Sequence, residues 1–225
     1  MEYKENFKHS KIYKDINDTL VYPPEKIHQI LVNSPTLLRQ NSPYKWDSNK
    51  VNMFASMIII TYLTGGRISE ILKLRFQDIK VEDKEKNKKA NWVKFLLVTK
   101  KTRTQNAKRY LSINYDDLFY KKMLDIFFDW FLEEKPKNKD EDYMFKVSRS
   151  HAYRIFSLLG FNPHFLRKLK LTTLANTYNF NVPKLQKFSG HKEMKSLAPY
   201  IQFSTKDIEE DLLKVNLGKD LGLEK

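Results

Sequence analysis

The segment from Asn49 to Leu63, NKVNMFASMIIITYL, constrains the fold more than any other part of the chain. Its apolar residues do not keep to one stripe but surround the helix axis on most sides. A helix of that kind has to be enclosed by other elements. Asp47 and Ser48 stand ahead of it as alternative N-caps, and Gly65-Gly66 stops it. Directly after the glycines comes Arg67, at the start of a further helical segment from Ile68 to about Leu74. A cation at a helix N-terminus opposes the helix dipole. Its charge either belongs to a solvated surface or is aimed at something negative.

The elements that enclose this helix follow from periodicity. Helices are predicted in EKIHQILVNS behind Pro23-Pro24, in DDLFYKKMLDIFFDWFLEE, in YRIFSLLG up to Gly160, and in NPHFLRKLKLTTLANTY. Two short helical pieces follow in VPKLQKFSGH and KEMKSLAPYIQF, and KDIEEDLLKVN reads as an amphipathic C-terminal helix. WVKFLLVT and RYLSI read as two strands joined by the hairpin loop KKTRTQNAK. NSPYKWDSNK, KEKNKKAN and KPKNKDED are polar connections, and RFQDIKVED leaves helical periodicity. The fold class is mainly α with a small antiparallel β-sheet (α+β). The 225 residues fit one sizeable domain, and no internal repeat is present. Residues 1–21 read as an arm or linker, 22–205 as the folded domain, and 206–225 as a C-terminal helix and tail. About 45 residues precede the core-like part, and few of them look packed.

Charge narrows the partner. Forty-one Lys and Arg against 27 Asp and Glu leave +14 and a pI near 9.6. Such a surplus favours a polyanion, nucleic acid first. The competing reading is a lysine-rich proteome. The basic residues are spread along the chain, which suits a basic face on a folded domain. There is no cysteine, so neither disulfides nor thiolate ligands arise. The five histidines never pair at ligand spacing, and no Gly-rich loop leads from a strand into a helix. Neither a metal nor a nucleotide cofactor is expected. The polar N-terminus is not a signal peptide, and no apolar run nears the roughly 20 residues of a membrane span. The expected location is the cytoplasm.

Five local pieces remain. They are TGGRISE with Arg67, the lysines Lys100-Lys101 before Thr102, HFLR with His164 and Arg167 one turn apart, SGH with His191, and Tyr200 in APYIQF. In this order, over about residues 22–205, they resemble the tyrosine recombinase (phage integrase) family. No single piece is specific; five in order on one basic chain are. The resemblance implies an integrase catalytic core-like fold and metal-free cleavage of double-stranded DNA. It implies Arg67 as the first catalytic arginine, His164 and Arg167 as the HxxR pair, and His191 as the second histidine. Lys101 becomes the hairpin lysine, with Lys100 open as the alternative, and Tyr200 the nucleophile. The tyrosine would become joined to a 3′-phosphate and release a 5′-hydroxyl, without ATP.

The residue types suit this chemistry. Arginine offers a rigid fork to phosphate oxygens, and two can neutralise the extra charge of a pentavalent transition state. Tyrosine, with a free pKa of about 10, needs help to lose its proton. Glu70 reads as a brace for nearby backbone or Arg67. The chain departs from the family pattern at Ser189, where leucine or methionine is common, and at Lys168, where histidine often stands. The resemblance further implies self-association on DNA, a tetrameric synapse held through the C-terminal helix; the alternative is that this helix packs on its own domain. Competing functions are topoisomerase-like relaxation, and DNA binding on the same fold with catalysis lost.

Overall fold

The enclosed helix of the sequence is the centre of the molecule. In a computed structural model, which describes residues 24–82, 91–100, 106–176, 181–191 and 193–200, it is α3, Ser48–Thr64. Asp47 caps it by accepting from the Lys50 backbone N–H at 2.7 Å. From Phe54 to Thr64 every residue is buried. The hydroxyls of Thr61 and Thr64 are satisfied inside the apolar core by donating to the carbonyls of Met57 and Ile60 one turn back.

Among the described residues two helices precede α3: α1, Pro24–Val32, and α2, Ser34–Asn41. The sequence reading gave one helix here and little packing. That is corrected, because Ile27, Ile30, Leu31 and Leu38 are all buried in the main core. The short α4, Ile68–Ile71, follows α3, and a 3-10 turn, Phe76–Asp78, leads into β1, Ile79–Glu82. This strand is an addition to the two that the periodicity gave; four residues are too few to show alternation. With β2, Trp92–Lys100, and β3, Asn106–Asn114, it forms an antiparallel sheet of order β1-β2-β3. Val93, Phe95 and Leu97 of β2, and Leu111 and Ile113 of β3, are buried on one face.

α5, Leu118–Glu134, lies against α3 and buries Met123, Leu124, Phe127, Trp130 and Phe131. Phe127 meets Phe95 of the sheet with ring centroids 6.0 Å apart, so helix and sheet share one core. α6, Arg149–Ser157, and α7, Pro163–Asn176, complete the enclosure. The distal half of α7 joins α8, Val182–Ser189, and the 3-10 segment Met194–Tyr200 in a second, smaller core of Leu171, Leu174, Ala175, Leu185, Leu197 and Tyr200. Burying each such side chain is worth about 1.5–3 kcal/mol for Leu-sized groups. This small core sets Tyr200 in place. The N-terminal arm, the hairpin tip with Lys101, and the C-terminal helix of the sequence reading lie outside the described residues.

Candidate active site

The end of α3 sets the position of Arg67. Gly65 takes a left-handed conformation, φ +54°, which glycine adopts at little cost. At Gly66 the constraint is space. A Cβ there would come within 2.7 Å of Ile71 Cδ1 and 3.0 Å of Thr64 Oγ1. This double bend delivers Arg67 to the N-cap of α4. Glu70 Oε2 accepts from the Arg67 backbone N–H at 2.8 Å, so a carboxylate in the first turn answers the helix dipole. The Arg67 guanidinium therefore does not face that end of the helix alone; its Nη1 lies 3.4 Å from Glu70 Oε1.

Glu70 is a hub, 2% exposed. Besides Arg67 it accepts from the Thr99 hydroxyl and from Arg109 Nη2, the latter at 2.8 Å. Burial by itself pushes its pKa up. Arg109, Thr99 and Arg67 outweigh this and hold the carboxyl below its ordinary value. Arg109 is locked in turn: Nη1 donates to the Phe188 carbonyl at 2.7 Å, and the guanidinium fills the space over Gly190. Burial lowers Arg109, Glu70 opposes this, and the Arg67 charge adds to the lowering. The sequence reading named Glu70 as a brace and missed Arg109 and Thr99. A signal was present in the strand period. Arg109 shares a face with Leu111 and Ile113, and Thr99 with Val93, Phe95 and Leu97, so both polar groups point inward.

Arg167 comes from the first half of α7 and is buried. Its Nη1 donates to the Gly65 carbonyl and its Nη2 to the Ser189 carbonyl, at 2.9 Å. It ties the α3 bend to the end of α8. Burial, then the charges of Arg67 and Arg109, lower its pKa to about 10, which leaves it charged at neutral pH. Arg167 Nη2 also lies 3.4 Å from His191 Nε2.

His191 follows Gly190, which ends α8 with φ +69°. Its Nδ1 is 2.7 Å from the Ser189 hydroxyl, which itself donates to the Gln186 carbonyl. The hydroxyl hydrogen is thus used, and Ser189 Oγ accepts from Nδ1–H. On the other side Arg167 can only donate, so Nε2 is the acceptor nitrogen. Burial and the three arginines, Arg167 foremost, lower the His191 pKa to about 4. The ring is neutral, with its Nε2 lone pair turned toward Arg167. The Tyr200 ring packs beside it, centroids 5.6 Å apart. Ser189, a departure at the sequence level, is here the group that fixes the histidine tautomer.

The remaining expected residues are placed differently. His164 is exposed in the first turn of α7, one turn before Arg167, and makes no contact with the arginine cluster among the described residues. Lys101 lies outside the described residues. The backbone of Lys100 closes β2 opposite Asn106. Among the described residues no three His, Asp or Glu side chains gather at one point that could hold a metal ion. No described helix is long and apolar enough to cross a membrane.

Residues 37–206 match the family model of the phage integrase family. The chain belongs to the phage integrase family. Solved structures share its fold. The XerH site-specific recombinase bound to a palindromic difH substrate, a post-cleavage complex, superposes with a TM-score of 0.57 at 17% identity, over 82% of this chain and 51% of that one. XerA recombinase gives 0.54 at 18% identity, over 86% and 63%. The Tn1549 transposon integrase in complex with a circular intermediate DNA gives 0.52 at 17%, over 93% and 70%. The chain thus spans about half the length of that XerH chain. No curated protein matches it by sequence.

Proposed function

We propose that this phage integrase family chain is a site-specific DNA recombinase that cleaves and rejoins duplex DNA through a 3′-phosphotyrosyl intermediate on Tyr200. One observation carries the proposal. Arg67 and Arg109 pair with a single carboxylate, Glu70, and Arg167 stands close enough to feel all three charges, beside the His191–Tyr200 ring pair. The cluster holds an excess of fixed positive charge next to a phenol and a neutral imidazole, a setting that calls for an anionic group.

The roles follow from what each group has left to offer. Arg67, with a side chain 37% exposed, has donors free for the non-bridging oxygens of a phosphate. Arg167 is held by two carbonyls and supplies a charge that need not reorganise as the transition state forms. Neutral His191 can take the phenol proton through Nε2, directly or by one water, in place of its 3.4 Å contact with Arg167. The Tyr200 oxygen then bonds to phosphorus and the bond to the 5′ oxygen breaks. Lys101, with Lys100 as the alternative, would protonate that leaving oxygen. Attack by a 5′-hydroxyl reverses the step and joins DNA. His164, already at the surface, would meet the DNA backbone. Glu70 does not react, since its oxygens are taken by three neighbours.

The similar structures support this reading, as those of XerH and the Tn1549 integrase were solved with DNA. Residues 22–205 would form the catalytic domain, and 206–225 would link subunits in a tetrameric synapse. The test is incubation of the full chain with nicked duplexes of several sequences in a chelator. A denaturation-resistant protein–DNA adduct is expected. It should vanish in Tyr200→Phe and fall at least a hundredfold in Arg67→Gln, as for loss of a transition-state donor. Salt-sensitive binding with no adduct on any sequence would favour DNA binding without catalysis.

A further inference from the structure

The sheet that feeds Thr99 and Arg109 into the Glu70 hub has a second face, and that face is also basic. It forms a groove of about 640 Å³, running from the end of α4 across all three strands. Its walls carry Lys73, Arg75, Lys80, Lys94 and Lys108 against one carboxylate, Asp78. Leu96 and Val98 form an apolar floor, and Tyr110 rises from it, 61% exposed. Asp78 is engaged at its rim by the Arg75 backbone N–H, at 2.9 Å. The Arg75 guanidinium stacks over Tyr143, 5.3 Å from the ring centroid.

Two features are unfavourable for a face that meets only water. Lys80 and Lys94 stand directly opposite each other in the β1–β2 register, a like-charge pairing that costs stability. Glu82 answers Lys94, but no acidic group among the described residues pairs with Lys73, Lys80 or Lys108. From Lys94 to Val98, the partner of Lys108, is four residues along β2, about 13 Å of strand. Duplex DNA presents about eight phosphate charges over that distance.

We propose that this groove binds the phosphate backbone of the duplex beyond the cleavage point. This rests on the reading that the chain acts on DNA, and adds to it a second contact surface apart from the arginine cluster. The lysines meet phosphates as point charges, and the Tyr110 hydroxyl donates to a phosphate or sugar oxygen. Lys73 stands one turn after Glu70, so the groove begins where the arginine cluster ends. Contacts of this kind set affinity and register without reading sequence.

The test compares the full chain with the triple variant Lys73→Gln, Lys80→Gln, Lys108→Gln, all exposed positions, with thermal melts as the folding control. Binding is followed against salt on a nicked duplex ending just beyond the nick and on one extended at both sides. On the extended duplex the variant is expected to bind at least tenfold more weakly. Its log K against log salt slope should be shallower by about two to three, near one per lost contact. On the short duplex the two proteins should bind alike, and at saturating extended DNA both should form the Tyr200 adduct. Equal affinity and slope on the extended duplex, with the wild-type adduct intact, would overturn the groove proposal and leave the recombinase reading standing. So would a variant that binds DNA as wild type does but changes oligomeric state without DNA, which would mark the groove as a protein interface. A wild-type chain with no salt-dependent binding to either duplex would overturn both.

Discussion

At the scale of single residues, the site is a set of hydrogen-bond commitments that leave few groups free. Ser189 shows this most sharply. Its hydroxyl directs the proton of His191 to Nδ1, and its carbonyl holds Arg167. Ser189→Ala removes the first and keeps the second. One such hydrogen bond is worth about 1–1.5 kcal/mol, so the single-turnover rate of adduct formation is expected to drop about tenfold, with the urea midpoint lowered by a loss of similar size. The His191 pKa of about 4 makes a second expectation. Between the ordinary histidine pKa and about 4, the unfolded state holds a proton that the native ring lacks. Native stability therefore falls as pH falls through that window, and is unaffected by this group above it. Within the native protein His191 stays neutral down to about pH 4. A rate–pH profile taken on folded protein should show no inflection from this ring between pH 7 and 5.

Among the elements, the bend between α3 and α4 decides whether Arg67 reaches the cluster at all. Gly66→Ala would drive a methyl group into Ile71, which is fully buried. The overpacking is expected to cost about 1–3 kcal/mol, read as a lower urea midpoint, and to slow adduct formation by displacing Arg67. Much of this element was legible in the chain: the apolar run, a cap at Asp47 or Ser48, the glycine stop and the arginine after it follow from propensity and capping alone. Arg67, Arg167, His191 and Tyr200 were legible as pieces in order, and the structure brings these four together. What stayed hidden depends on tertiary pairing. Arg109 is 39 residues from Glu70, and no local pattern joins them, although its inward position on β3 marked it as unusual. β1 was hidden because four residues cannot show a period. α2 was hidden because a polar octamer, SPTLLRQN, buries little beyond Leu38 and Ser34. His164 was placed by its spacing to Arg167, yet only Arg167 turns inward.

For the whole molecule, the main core carries the arginines and the smaller core carries Tyr200, with α7 common to both. Lys170 sits at that junction, one turn after Arg167. It is 3% exposed, its Nζ donating to the Tyr120 hydroxyl at 2.8 Å and lying 4.5 Å from that ring and 5.5 Å from the Tyr62 ring. Burial lowers its pKa to about 7, against a weak opposing pull from Asp117. Above that pH the unfolded lysine keeps a proton that the native one sheds. Stability thus rises with pH from about 7 toward the ordinary lysine pKa, and the penalty of the buried charge is full below about 7. Lys170→Met should remove this rise in a series of urea unfolding curves, and should be more stable than wild type at pH 6. The two cores meet for one purpose if the phenol of Tyr200 is the group that breaks DNA. The most direct measurement is to trap the protein on a nicked duplex, digest both with nuclease and protease, and locate the nucleotide by mass spectrometry. A nucleotide joined through its 3′-phosphate to the peptide containing Tyr200 is the expected result. A nucleotide on any other residue, or joined through a 5′-phosphate, would contradict it.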